Sequence, residues 1–324
     1  MSAGATPAAS ATTAAGKRPV VLCIVNRPNW AHDRKTDALA RELSGAYRIV
    51  KRYQAEVSAE ELERADCVLL YYWLQLADLS GLRDALDRVR DRLLIGICSE
   101  FELEGDRQAP GLAALRAMAR AVFVNNERLL RFAAQLSQPV FYTPNGVDTR
   151  FFRPTSAARR PGPLRVGWAG SLTNHTPEHR GVHEFIAPAV AAVPGAELRL
   201  AAREEVWRGP GEMLDFYHSL DVYVCASRSE GTPNPCLEAA ACGLPVVTTR
   251  VGNMPELLRH GENGLFVERS VESIAAALAT LRDDPPLRAR LGRAARTTVE
   301  AAWDWRQAAG AYAAMLRTVL GRGA

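Results

Sequence analysis

Apolar residues along this chain fall in short, nearly continuous runs rather than in strict alternation. In the first half the runs are VVLCIVN (20–26), YRIVKR (47–52), DCVLLYYW (66–73), RLLIGIC (92–98), AVFVNN (121–126) and PVFYT (139–143). Between them the spacing turns helical, as in DRKTDALARELSG and LRDALDRVRDR. Such runs predict parallel strands covered on both faces, and the intervening helices predict an α/β doubly wound domain. The pattern breaks at NGVDTRFFRPTSAARRPGP (145–163), where turn residues and prolines replace any periodicity. It restarts with LRVGWAGS (164–171), AELRLAA (196–202), DVYVCAS (221–227), PVVTTR (245–250) and GLFVE (264–268). Three helical stretches, near 270–282, 285–301 and 305–321, follow.

The expected organisation is a disordered tail over 1–16, a Rossmann-like domain over 17–150, a linker over 151–163 and a second Rossmann-like domain over 164–304. Two parallel sheets in series imply a cleft between them, and ligands of such folds lie outside the carboxyl ends of the strands.

Composition narrows the function more than it changes the fold. The 324 residues are 48% hydrophobic, ample for two cores. A net charge of +4 with scattered arginines argues against a nucleic-acid partner. Lysine occurs only at Lys17, Lys35 and Lys51, so a cationic phosphate contact beyond residue 51 falls to arginine, histidine or backbone N–H groups. The six cysteines lack CxxC pairs and read as small buried hydrophobes of a reducing cytoplasm. Metal-ligand spacing is missing too, and no apolar run is long enough to cross a bilayer. A cytoplasmic location is expected, with a peripheral place at the inner membrane face compatible with it.

The stretch SRSEGTPNPCLEAAACGLP (227–245) carries the chemistry. Asn234 is expected to cap a helix with Pro235 at its first position, and Gly243 to close it in the left-handed conformation after about two turns. Glu238 then lies one turn inside the helix, and Glu230 on the loop leaving the preceding strand. A helix start facing a cleft offers unpaired N–H groups to a phosphate. A carboxylate beside it can accept hydrogen bonds from a vicinal diol such as a ribose, and a second can grip another polyol. A diphosphate flanked by two sugars is a nucleotide-sugar.

SEGTPNPCLEAAACGLPVV resembles the E-x7-E signature of retaining family 4 glycosyltransferases of the GT-B fold, with Glu230 and Glu238 as its glutamates. PNGVDTRFFRP (144–154), VGWAGSL, RGVHEFI, VGNMPELLRHGENGLFV (251–267) and AWDWRQAAGAYAAML are similar to further family segments in the same order. The resemblance implies two Rossmann-like domains facing a cleft, with a final helix, about 305–324, crossing back onto the first. It implies transfer of a hexosyl unit from a UDP- or GDP-linked sugar with retention, and no tightly bound metal or other cofactor. Glu238 is then expected to hold the ribose, and Glu230, with the backbone of Gly231, Thr232 and Asn234, to face the donor sugar and phosphate. Arg180 stands at the family's lysine position. Ser171, after Gly170, stands at its arginine position, leaving one cation fewer unless His175, His179 or another arginine replaces it.

On the acceptor side the candidates are Asn29 and Trp30 after the first strand, where the family has a glycine-rich loop, and Ser99 and Glu100 after the fourth. Trp30 could stack on an acceptor sugar or cap the sheet, and Glu100 could deprotonate a hydroxyl or be a solvated acid. Asp148 reads as a turn residue placing the linker. The acceptor class stays open among carbohydrate, lipid and small metabolite. Two alternatives remain beside a transferase. One is a nucleotide-sugar epimerase on the same fold, and the other is a partner subunit that binds nucleotide-sugar without turnover.

Overall fold

The computed structural model describes residues 18–156, 162–174 and 176–321. The expected tail over 1–16, His175 and part of the linker lie outside the described residues.

Eleven strands form two all-parallel sheets. The first contains β1 (Val20–Val25), β2 (Arg48–Tyr53), β3 (Cys67–Leu70), β4 (Leu93–Ile97), β5 (Ala121–Val124) and β6 (Val140–Tyr142), in the order β2-β1-β3-β4-β5-β6. The second contains β7 (Leu164–Gly170), β8 (Ala196–Ala202), β9 (Val222–Cys225), β10 (Val246–Thr248) and β11 (Leu265–Phe266), in the order β11-β10-β9-β7-β8. Every strand centre falls inside an apolar run. Both faces of each sheet are buried, which explains why the runs do not alternate. In β1, Val21, Cys23 and Val25 enter one core while Leu22 and Ile24 enter another. In β9, Val222 and Val224 face one way, and Tyr223 and Cys225 the other. Each fully buried aliphatic side chain contributes roughly 1.5–3 kcal/mol of transfer free energy.

The two sheets share one topology, and each reverses direction beside its first strand. The reversal points lie between β1 and β3 and between β7 and β9. Strand-end loops diverge there and leave a crevice. The loops Asn26–Trp30, Gly170–Asn174 and Ser227–Glu230 therefore all open toward the space between the domains.

The helix Trp305–Val319 belongs to the first core by packing. Trp305, Ala308, Tyr312, Met315 and Leu316 join the same cluster as Val21, Tyr71 and Phe123. The Tyr312 hydroxyl donates to the Thr143 carbonyl at 3.2 Å. Asp304 caps this helix and also accepts from the Thr149 N–H at 3.1 Å and the Thr149 hydroxyl at 2.5 Å. A bridge between Val147 and Asp304 joins the two places where the chain passes between domains.

Candidate functional site

The interdomain cleft holds a cavity of about 560 Å³. Its wall includes Asn29, Trp30, Gly170, Ser171, Arg180, Asn234 and Glu238. Glu230, Gly231, Thr232, Ser99 and Glu100 are not part of that wall.

Glu238 projects from the helix Asn234–Ala241. Cys236, Leu237 and Ala239–Ala241 around it are all buried, and Glu238 itself is 8% exposed. A carboxylate is costly in such a helix unless partnered. Tyr217 donates its hydroxyl to one oxygen at 2.6 Å, and Arg34 of the first domain reaches the other at 3.5 Å. Burial raises the Glu238 pKa above the ordinary value, and the Arg34 charge and the Tyr217 bond only partly offset that. Gly243 takes φ +75°, the left-handed stop expected of it.

The expected cap at Asn234 is displaced by one residue. Pro233 is the cap position, Asn234 is already helical, and no side-chain cap bond forms. Pro235 in the first turn starts the helix without one, since it has no N–H to satisfy. This frees the Asn234 side chain, whose oxygen accepts from Asn145 at 3.1 Å.

Arg180 is held by backbone geometry. It precedes Gly181, which takes φ +65° and where a Cβ would press on the Ala226 carbonyl and the Phe185 ring. Its guanidinium pairs with Glu230, and Ser227 donates to that carboxylate at 2.9 Å. Glu230 thus stands behind Arg180 as its counter-ion. Burial lowers the Arg180 pKa, and its Nε has no partner in the protein.

The GTPNP turn meets the first domain directly. Asn126 donates to the Gly231 carbonyl at 3.0 Å, and any Cβ on Gly231 would collide with the Cys98 carbonyl. The Thr232 hydroxyl is buried without a partner. Ser99 and Glu100 serve their own domain. Ser99 caps a short 3-10 turn with Glu102, and Glu100 pairs with Arg128 at 3.0 Å. Glu100, buried and paired with Arg128, is neither a wall residue nor a solvated acid.

Around Ser171 the loop is satisfied from within. The Glu204 carboxylate accepts from the Ser171 hydroxyl at 2.5 Å, the Leu172 N–H at 3.0 Å, the Thr173 N–H at 3.2 Å and the Thr173 hydroxyl at 2.9 Å. Although burial opposes it, this set of donors holds Glu204 down at about 2. On the opposite wall Asn29 has φ 62°, held by its N–H bond to Asp33 at 2.8 Å. Trp30 lies between Arg27, at 5.1 Å, and Arg203 of the second domain, at 4.8 Å. Arg203 also donates to the Asn29 carbonyl at 2.9 Å. Asp148 accepts from the N–H groups of Arg150 and Phe151, as a turn residue does, and also lines the cavity. Phe151, Val206 and Trp207 form an exposed apolar part of the same wall.

Arg34, Arg203, Glu204 and Tyr217 carry no motif. The signal that could find Arg203 and Glu204 is position: they directly follow β8 at its carboxyl end, on the side where ligands bind.

Residues 206–298 match the family model for Glycosyl transferases group 1, and this span contains both Glu230 and Glu238. The matched span lies wholly within the second domain. The chain is 33% identical over 196 residues to a glycogen synthase of Mycobacterium tuberculosis, covering 52% of this chain and 46% of that protein. A GDP-mannose-dependent alpha-(1-6)-phosphatidylinositol monomannoside mannosyltransferase of the same organism is 29% identical over 233 residues, 60% of either chain. The chain thus spans about half the length of the curated relatives it matches. Among solved structures, sucrose-phosphate synthase from Thermosynechococcus elongatus has a TM-score of 0.77 at 16% identity, covering 94% of this chain and 100% of that one. Anabaena HepE in complex with UDP-glucose has a TM-score of 0.72 at 14% identity, covering 92% and 99%. The two domains together adopt the GT-B fold. No helix among the described residues is long and apolar enough to cross a membrane.

Proposed function

We propose that the protein is a glycosyltransferase that moves a hexosyl unit from a UDP- or GDP-linked sugar to a hydroxyl acceptor with retention of anomeric configuration. The observation that carries this reading is Glu238, a buried carboxylate in the wall of an interdomain cavity that Arg180, paired with Glu230, also lines. A ribose diol replaces Arg34 as the partner of the Glu238 oxygen, whose present contact is long at 3.5 Å. Trp207 and Phe151 offer apolar faces for the base.

Arg180 is then placed to stabilise the charge that grows on the departing diphosphate. Its unpartnered Nε provides a donor already fixed in position, so little reorganisation is needed as the bond breaks. Glu230, outside the cavity wall, holds that guanidinium in place. With arginine as the electrostatic stabiliser the reading calls for no resident metal, so chelation is expected to spare activity. The same reading takes the acceptor, a carbohydrate, lipid or small metabolite, on the Asn29–Trp30 side.

The loop closed by Glu204 favours one alternative, a nucleotide-sugar-binding partner without turnover, because those N–H donors are already engaged. Incubation of the purified protein with individual nucleotide-sugars, followed by mass spectrometry, separates the two. Slow release of UDP or GDP with free sugar, its first-formed anomer identified by NMR, is expected. Tight donor binding with no release under any condition would leave the binding subunit as the function.

A further inference from the structure

The cationic side chains of the cleft are distributed unevenly with respect to their counter-ions. Arg180 has Glu230. Arg41 reaches Asp148 at 3.3 Å. Among the described residues Arg34 has only the long contact with Glu238, at an oxygen that no other described residue reaches. Arg203 makes no ion pair among the described residues and spends its donors on a carbonyl and a ring face. Its sequence neighbour Glu204 accepts from the Ser171–Thr173 loop instead, and its charge offsets the other effects on Arg203 only in part.

Arg34 and Arg203 come from opposite domains yet line one cavity. Burial first, and then repulsion from Arg34, lowers the pKa of Arg203. Two guanidiniums lining one cavity, one without an ion pair among the described residues and the other with a single long one, suit an anion with several oxygens. Arg180 and Arg208 line the same cavity, and Arg180 Nε and Arg208 Nη1 are buried without a partner in the protein. Meanwhile the loop after β7, the other source of donors, is occupied by Glu204.

We infer that Arg34 and Arg203, the latter set over Trp30, form a phosphoryl-binding subsite that takes the place of the Ser171 loop. The inference rests on the nucleotide-sugar reading for its occupant but not for its existence. The phosphoryl group could be the donor's diphosphate or a phosphate carried by the acceptor, since both present the same oxygens.

Calorimetry with inorganic pyrophosphate tests the subsite. Wild-type protein is expected to bind it, with Arg203→Gln and Arg34→Gln each about tenfold weaker. Arg203→Lys, which keeps the charge but loses the fork, is expected to fall between. Circular dichroism of each variant checks that it folds, and the lysine variant keeps the test open should the glutamine variant fail. Undiminished pyrophosphate affinity in both glutamine variants, or none in the wild type, would overturn the subsite. Titrating inorganic phosphate into protein saturated with UDP or GDP distinguishes the sources. Phosphate excluded by nucleotide assigns the subsite to the donor, and Arg34-dependent binding alongside nucleotide assigns it to a phosphorylated acceptor. Arginine-dependent pyrophosphate binding with no affinity for any nucleotide-sugar keeps the subsite and removes the donor reading.

Discussion

Glu238 is under two opposed demands. Its helix must be apolar to pack beneath the sheet, yet its side chain must be available to a polar ligand. Tyr217 and Arg34 hold the carboxylate between these demands, and only Arg34 can leave it without breaking a core contact. Glu238→Gln keeps the shape and removes the charge, so donor affinity by calorimetry should weaken about 10- to 100-fold. Because burial raises the Glu238 pKa, protonation begins at a higher pH than for an exposed glutamate. Nucleotide affinity of the wild type should therefore decline on acidification before ordinary carboxylates titrate, and Glu238→Gln should flatten that decline. A wild-type affinity unchanged down to pH 4 would contradict this role.

Among elements, the strands were the most legible part of the chain, because burial on both faces leaves a signal of its own. β1 and β9 contribute to a core on either side, and no polar residue interrupts them. The Glu230 and Glu238 spacing was equally plain, since a rigid turn and a short helix fix both locally. What was not legible depends on contacts distant in sequence. Arg34 meets Glu238 across 204 residues, and Asn126 meets Gly231 across 105. Glu204 closing the Ser171 loop is likewise a tertiary event, invisible in either segment. The cap of the final helix is a further case. Asp304 accepts from Thr149 and Arg306, which outweigh the effect of burial and hold its pKa well below the ordinary value. A depressed carboxylate pKa contributes stability above the unfolded value and loses it as pH falls. Asp304→Ala should cost about 2 kcal/mol in urea denaturation at pH 7. The difference from wild type should shrink as the pH drops below about 4.

For the molecule as a whole, the two domains stand closed. Asn126 on Gly231, Arg203 on Asn29 and Glu256 on the Glu127 N–H, the last at 2.7 Å, bridge the cleft at separate points. Gly231 is the tightest of these, for nothing larger fits against Cys98. Gly231→Ala should leave each core intact but hold the domains apart. Small-angle scattering is expected to give a larger radius of gyration, with transfer reduced at least about 100-fold through misplacement of the reacting groups. An unchanged radius together with full activity would show that closure does not depend on this contact. The back-crossing of the helix Trp305–Val319 has a consequence for biosynthesis. The face of the first sheet formed by Val21, Tyr71 and Phe123 is covered by Tyr312, Met315 and Leu316. Domains usually mature on the ribosome from the N-terminus onward. Here the order inverts: the second sheet and its helices can close before the first domain receives its last layer. Until then the nascent chain carries an uncovered apolar sheet, and it is in this interval, rather than in the finished protein, that a chaperone has something to hold.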